Sequence, residues 1–268
     1  RDRHLLTGGK YVFRYEYPIF EHKNLLKKSM LDALRDYPLS LSRMYFAGYG
    51  DGILEGCGLS WEQDVLHLEA GLLHYRGDIY RMEEACPLEC SATDQLTYLK
   101  VRFAAMDYER GKRGGMGEIL LSNAPAESGE MELGRFRLQE GARLRTVYEN
   151  FEDYQTEYDT VNRIHVPYAG PGGAGLWPQL LRTYAKELLE TGTTDVYDVG
   201  FAMAVLGADG QASPMCIKAY LAGAGEETGE QFSNGECYRK LLHILRNRKS
   251  GGTGWKQPEG VRGQMILL

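Results

Sequence analysis

The sequence predicts an α+β chain with an N-terminal helix, an antiparallel β domain and a small C-terminal helical domain. Three observations predict it. Apolar residues recur at helical spacing in the first forty residues. From about residue 41 to 145 the apolar period becomes two, and glycine-rich turns separate the short runs. After residue 175 the helical period returns, in short segments broken by glycine. At 268 residues the chain is long enough to bury a core without a disulfide or metal staple.

Residues 1–40 read as an arm and a helix. Positions 11–19 are aromatic and extended in character. Over 20–36, Leu26, Met30 and Leu34 fall four apart with Leu31 beside them. Lys23, Lys27, Asp32 and Arg35 are left to face water. Pro38 is the expected stop.

Residues 41–145 read as the β domain. Cys57, Leu59 and Trp61 alternate with Gly58 and Ser60, and Leu66, Leu68 and Ala70 with Val65, His67 and Glu69. Thr97, Leu99, Val101 and Phe103 alternate with Tyr98, Lys100 and Arg102, and Phe136 and Leu138 with Arg135 and Arg137. Gly50-Asp51-Gly52, Gly77-Asp78 and Gly114-Gly115 supply turn chemistry. No helices intervene, so the expected arrangement is a meander, sandwich or barrel and not a set of βαβ units.

Residues 146–175 read as an acidic-aromatic linker. Tyr148, Phe151, Tyr154 and Tyr158 are spaced helically among Glu149, Glu152, Asp153, Glu157 and Asp159. They predict a helix or docking segment, followed by the Gly-rich run 170–175. Residues 176–249 read as the helical domain. Its stripes are Leu181, Tyr184 and Leu188, stopped by Gly192; Val196, Val199, Met203 and Leu206; Ile217, Tyr220 and Leu221 behind Ser213-Pro214; and Tyr238, Leu241, Leu242 and Leu245 behind the capping box Ser233-x-x-Glu236. Residues 250–268 form a Gly-rich tail ending Met265-Ile266-Leu267-Leu268.

Charge and composition exclude several functions. With 31 basic against 37 acidic residues the net charge is −6, which lacks the basic surplus of a general nucleic-acid binder. The basic cluster Arg239, Lys240, Arg246, Arg248 and Lys249 fits the C-terminus of a helix, where cations complement the dipole. No apolar run reaches the ~18 residues that span a bilayer. The five cysteines are odd in number and read as reduced thiols. Cys86 and Cys90 have no second pair or nearby His, so no metal site is expected. Strand-like Ile164-His165-Val166 and the Gly-rich run after it lack the Lys-Ser/Thr of a phosphate loop. There is no Gly-x-Ser-x-Gly elbow, and nothing pairs His165 with Cys216 or Cys237. Arg76-Gly77-Asp78 sits where a hairpin needs a turn. The 18 Tyr are either core fillers or contact residues.

The stretch Tyr49-Gly50-Asp51-Gly52-Ile53-Leu54-Glu55-Gly56, continued by Leu66-His67-Leu68-Glu69-Ala70-Gly71-Leu72-Leu73-His74-Tyr75-Arg76-Gly77-Asp78-Ile79-Tyr80, resembles a pattern in baseplate and tail-fibre attachment proteins of tailed phages and phage-like particles. The pattern is Gly-Asp-Gly-apolar-x-x-Gly, a strand, and further strands with glycine at their ends. Gly134-Arg135-Phe136-Arg137-Leu138 through Ile164-His165-Val166-Pro167-Tyr168 is similar to proteins of Clostridia-type prophages. Together these stretches cover roughly a quarter of the chain. The resemblance implies a structural subunit of a tail or baseplate, made in the bacterial cytoplasm and built into a virion or phage-like particle. Its partners would be other subunits, with no cofactor and no catalytic residue.

On this reading Gly50, Gly52, Gly56, Gly71 and Gly77 are turn or close-packing positions. Tyr148, Phe151, Tyr154, Tyr158, Met265, Ile266, Leu267 and Leu268 are the expected contact residues. Two other classes stay open. A carbohydrate-binding module of a tail fibre would recognise a cell-surface glycan and show exposed Trp and Tyr beside Asp or Asn on one sheet face. An enzyme of unknown type would need a cleft with convergent titratable groups.

Overall fold

In the computed structural model, which describes residues 15, 17–20, 25–105, 114–208, 211–227, 229 and 233–251, the chain divides into two units, Arg1–Ala47 and Gly48–Leu268. The first unit is built on α1 (Lys28–Tyr45). This helix does not stop at Pro38 but passes through it, so residues 41–45, expected in the β domain, are its last turn. Proline removes one helical N–H, the one that would reach the Leu34 carbonyl, and on this exposed helix water can satisfy that carbonyl. The Ser40 hydroxyl donates to the Tyr37 carbonyl at 2.9 Å and the Ser42 hydroxyl to the Leu39 carbonyl at 3.3 Å.

The second unit begins with a run of short strands: β1 (Gly52–Gly56), β2 (Leu59–Glu62), β3 (Val65–Leu68), β4 (Gly71–Tyr75), β5 (Asp78–Met82) and β6 (Cys86–Leu88). Three longer strands follow, β7 (Leu96–Ala105), β8 (Gly115–Ser122) and β9 (Glu130–Arg137). Two-residue turns set the register of the early hairpins. Gln63 and Asp64 between β2 and β3, and Arg76 and Gly77 between β4 and β5, all have positive φ, the geometry of a type I′ turn. Arg76-Gly77-Asp78 is thereby a turn, held further by the Arg76 N–H donating to Asp51 Oδ1 at 2.7 Å.

The short strands β10 (Tyr168–Gly170) and β11 (Gly173–Gly175) complete a five-stranded sheet in the order β11-β10-β1-β4-β5. Its β1–β10 pair is parallel and the others are antiparallel. Two three-stranded antiparallel sheets, β2-β3-β6 and β8-β7-β9, accompany it. No sheet closes into a barrel; residues of all three share one core, including Ile53, Leu66, Leu73, Leu99 and Phe136. The alternation along β7 is interrupted in one respect. Lys100, on the face opposite Leu99 and Val101, is also buried, its ammonium 2.7 Å from Glu130 and 3.2 Å from the carbonyls of Ala124 and Pro125.

Residues 146–175 are not a linker, and their only helical piece is the 3-10 turn Glu152–Gln155. Backbone bonds tie the segment to the free side of β9: Arg135 and Asn162 exchange N–H···O bonds at 3.0 and 2.7 Å, and the Asp159 N–H donates to the Arg137 carbonyl at 2.8 Å. Its apolar residues then fill two cores. Val161, Val166 and Tyr168 enter the β core, while Phe151, Tyr154 and Ile164 enter the helical one. Trp177 packs against both. The segment therefore joins the β and helical regions into the single second unit.

Four helices follow: α2 (Pro178–Glu190), α3 (Val196–Gly207), α4 (Pro214–Gly223) and α5 (Asn234–Lys249). α2, α4 and α5 bury the stripes that their periodicity predicts. The capping box at Ser233 and Glu236 is formed. Ser213 is an N-cap without a side-chain bond; Pro214, with no N–H to satisfy, supplies the start. α3 turns a different face inward: Asp198, Phe201, Ala202 and Val205 are buried, whereas Val196 and Met203 are 80% and 60% exposed. Five of the tyrosines, Tyr154, Tyr168, Tyr184, Tyr220 and Tyr238, lie in these cores.

Candidate assembly surface

α1 is the one helix with no buried residue among the described residues. Its apolar residues nonetheless keep a strict register. Leu31, Leu34, Pro38, Leu41 and Tyr45 are spaced three, four, three and four apart, and Met30, Tyr37 and Met44 flank them at intervals of seven. Leu31, Leu34, Tyr37, Leu41, Met44 and Tyr45 are all exposed. The far side carries Asp32, Asp36 and Arg43, with Lys28 and Arg35 on its border with the stripe. There Arg35 pairs with Asp32 at 3.1 Å and with Asp36 at 2.6 Å. The sequence signal for this face lay in the continuation past Pro38, where Leu41, Met44 and Tyr45 extend the period set by Met30, Leu31 and Leu34.

The expected acidic-aromatic contact surface is not formed. Phe151 and Tyr154 are fully buried within the chain, and Tyr148 packs on the same core, its hydroxyl donating to the Val161 carbonyl. Burial pushes the Tyr148 phenol up, against the opposing charge of Arg163. Tyr158 is the exception, 45% exposed beneath the Arg137 guanidinium. The aromatic rings turn inward because the acids can turn outward. Asp153 takes two bonds from Arg145 at 2.5 and 2.6 Å, and Glu152 is paired with Arg246. The Arg145 bonds, opposed by desolvation, hold the Asp153 carboxyl down at about 2. Met265, Ile266, Leu267 and Leu268 lie outside the described residues.

The basic end of α5 is tied to the protein by ion pairs. Arg246, Arg248 and Lys249 reach Glu152, Asp198 and Glu187, so this cluster clamps α5 to the 3-10 turn, α3 and α2.

The glycines lie at strand ends and close approaches. A Cβ at Gly50 would come within 2.2 Å of the Ala174 nitrogen, at Gly52 within 2.6 Å of the Ala169 nitrogen, and at Gly71 within 2.4 Å of Cys57 Sγ. Gly56 and Gly77 adopt positive φ.

The groups weighed for catalysis are dispersed. Burial pushes the Cys57 thiol up to about 11 and the Cys237 thiol up to about 12, leaving both protonated inside separate cores. His165 is held low by burial and by Arg135, and its ring rests on the backbone of Gly235. Among the described residues no group of three or more His, Cys, Asp or Glu side chains is placed to hold a metal ion. Trp61 and Trp177 are both packed against the β core and build no exposed glycan platform. No helix of the described residues is long and apolar enough to cross a membrane.

The sequence matches no family model and no curated protein. Among solved structures, the chain is similar to TssK, with a TM-score of 0.45 at 10% identity over 88% of this chain and 72% of that one. It is also similar to a chain of the type VI secretion system TssK-TssF-TssG baseplate subcomplex, with a TM-score of 0.37 at 11% identity over 89% of this chain and 100% of that one. A chain of the baseplate complex from the type VI secretion system gives 0.35 at 10% identity, covering 87% and 100%.

Proposed function

We propose that this chain is a structural subunit of a phage-like tail or baseplate assembly, working through protein–protein contacts and not by turnover. The observation that carries the reading is α1, an 18-residue amphipathic helix with an apolar stripe and no buried residue. A lone helix of that length is marginal in water, and a mid-helix proline costs it a further ~3 kcal/mol. Such a helix is stabilised by what covers its stripe. The glycine pattern over β1–β5, similar to that of baseplate and tail-fibre attachment proteins, supports the kind of assembly. The partners on this reading are neighbouring baseplate subunits.

The test is location. Contractile or tail-like particles purified from producing cells should contain the chain in a fixed ratio to their other subunits, as read by quantitative mass spectrometry. A chain abundant in the cells but missing from the particles would overturn the assignment.

A further inference from the structure

We propose that α1 is a self-association helix whose stripe is covered by the same helix of a second copy, the two running parallel. This deepens the assembly reading and rests on α1 being a contact surface.

The register is that of a helix-pairing seam. With Leu31 at position a of a heptad, Pro38 and Tyr45 also fall at a, Leu34 and Leu41 at d, and Met30, Tyr37 and Met44 at g. The seam runs the length of the helix, about 27 Å at 1.5 Å per residue. A period of 3.5 held over that distance suits another helix of the same period; a flat sheet or a loop has no use for it.

Charge selects both the occupant and its direction. Lys28, Arg35 and Ser42 occupy the e positions, while the g positions are apolar. In a parallel pair each e residue faces the g residue five positions earlier on the other copy, so Arg35 lies over Met30 and Ser42 over Tyr37. In an antiparallel pair e faces e, which sets Arg35 against Arg35 when the two helices align about their centres. The remaining charges of the polar face are partly compensated inside one helix, through Asp32, Arg35 and Asp36. Nothing on the helix therefore opposes a parallel copy of itself.

The experiment uses the full chain. Sedimentation equilibrium at about 1 to 100 µM should show a reversible oligomer. Leu34→Glu with Leu41→Glu should shift it to monomer, with at least a tenfold loss of association. Leu39→Glu is the control: Leu39 is as exposed as Leu34, each at 49%, but lies off the seam and should change nothing. Oxidation of Leu41→Cys should give a covalent dimer, which Leu39→Cys should not. That readout also covers the case in which the glutamate variants fail to fold. A wild-type chain that stays monomeric at 100 µM would overturn the proposal, as would an oligomer indifferent to the seam variants or a Leu41→Cys chain that does not cross-link. A monomer that is nevertheless found in purified particles would assign the stripe to a different subunit and leave the assembly reading standing. Absence from the particles would sink the assembly reading itself.

Discussion

Asp198 on α3 takes a 2.5 Å hydrogen bond from Nε of Arg248, fifty residues further on at the end of α5. The carboxylate is 1% exposed. It also accepts from the Thr193 hydroxyl at 2.8 Å and from the Tyr220 hydroxyl at 2.9 Å. Since Tyr220 has spent its proton there, the 2.9 Å contact between the Tyr184 and Tyr220 hydroxyls is donated by Tyr184. One acid on α3 thus satisfies groups from the loop before it, α4 and α5, and through Tyr220 it orders α2.

Removing the acid leaves a largely buried guanidinium without its anion, a loss typically of ~3–5 kcal/mol. We expect Asp198→Ala to lower unfolding stability by about 3 kcal/mol in urea titration. Asp198→Asn, which keeps the shape and one acceptor, should cost less. Equal stability of wild type and Asp198→Ala would show that the network contributes nothing net.

Acid should loosen the chain through two carboxylates. The Lys100 ammonium, with the Glu127 amide, holds the Glu130 carboxyl at about 2, and Arg145 holds Asp153 at about 2. Both values lie below those of the unfolded chain, so the stabilisation is full above about pH 5 and is lost as pH falls toward 2. Thermal melting between pH 6 and 2.5 should show a falling midpoint. Asp153→Asn should flatten that dependence, because a group that no longer titrates contributes no slope. An unaltered slope in this variant would remove Asp153 from the account.

The four aromatics between 148 and 158 should separate sharply when changed to serine. Phe151 stacks edge-on to Tyr184 and against Tyr238, whose hydroxyl donates to the Phe151 carbonyl at 2.7 Å. Phe151→Ser should cost ~3–5 kcal/mol and melt the helical region first. Tyr158→Ser, at an exposed ring, should stay within about 1 kcal/mol. Calorimetry of the two variants checks this, and a mild effect at Phe151 would contradict its place in the core.

Where local period and burial coincide, the fold was legible: the stripes of α2, α4 and α5, the alternation of β3, and Phe136 and Leu138 at the end of β9 emerge as buried positions. α3 was misjudged because it is apolar almost all round, so periodicity cannot choose its face. The choice is made by Asp198, whose partner is remote in sequence. Residues 146–175 resembled a surface because acids crowd the aromatics, and only the positions of Arg145 and Arg246 show that the acids are neutralised on the outside. α1 does not end at Pro38 because the carbonyl left without an N–H, that of Leu34, sits on an exposed helix where water can take the place of the lost donor. Its apolar stripe was visible, but a stripe alone does not say whether its own chain covers it.

Glycine substitutions should rank by what surrounds the missing side chain. At Gly52 a Cβ would lie 2.6 Å from the Ala169 nitrogen and 2.7 Å from the Pro167 carbonyl oxygen, both backbone atoms of the strand that pairs with β1 or its approach. Backbone cannot rotate away as a side chain can, so Gly52→Ala must push β10 off β1. That breaks the parallel junction through which residues 146–175 return to the sheet, including the Ile53 N–H bond to the Pro167 carbonyl at 2.9 Å. At Gly77 nothing lies within 4 Å, and the cost is only that of an L-residue at φ +83°, about 1 kcal/mol. We therefore expect Gly52→Ala to destabilise the chain by several-fold more than Gly77→Ala in denaturant titration. Hydrogen exchange should show the added opening at Ile53 and Tyr168 in the first variant and at the β4–β5 turn in the second. Equal effects would mean that β10 is not held against β1 as tightly as the 2.9 Å bond implies.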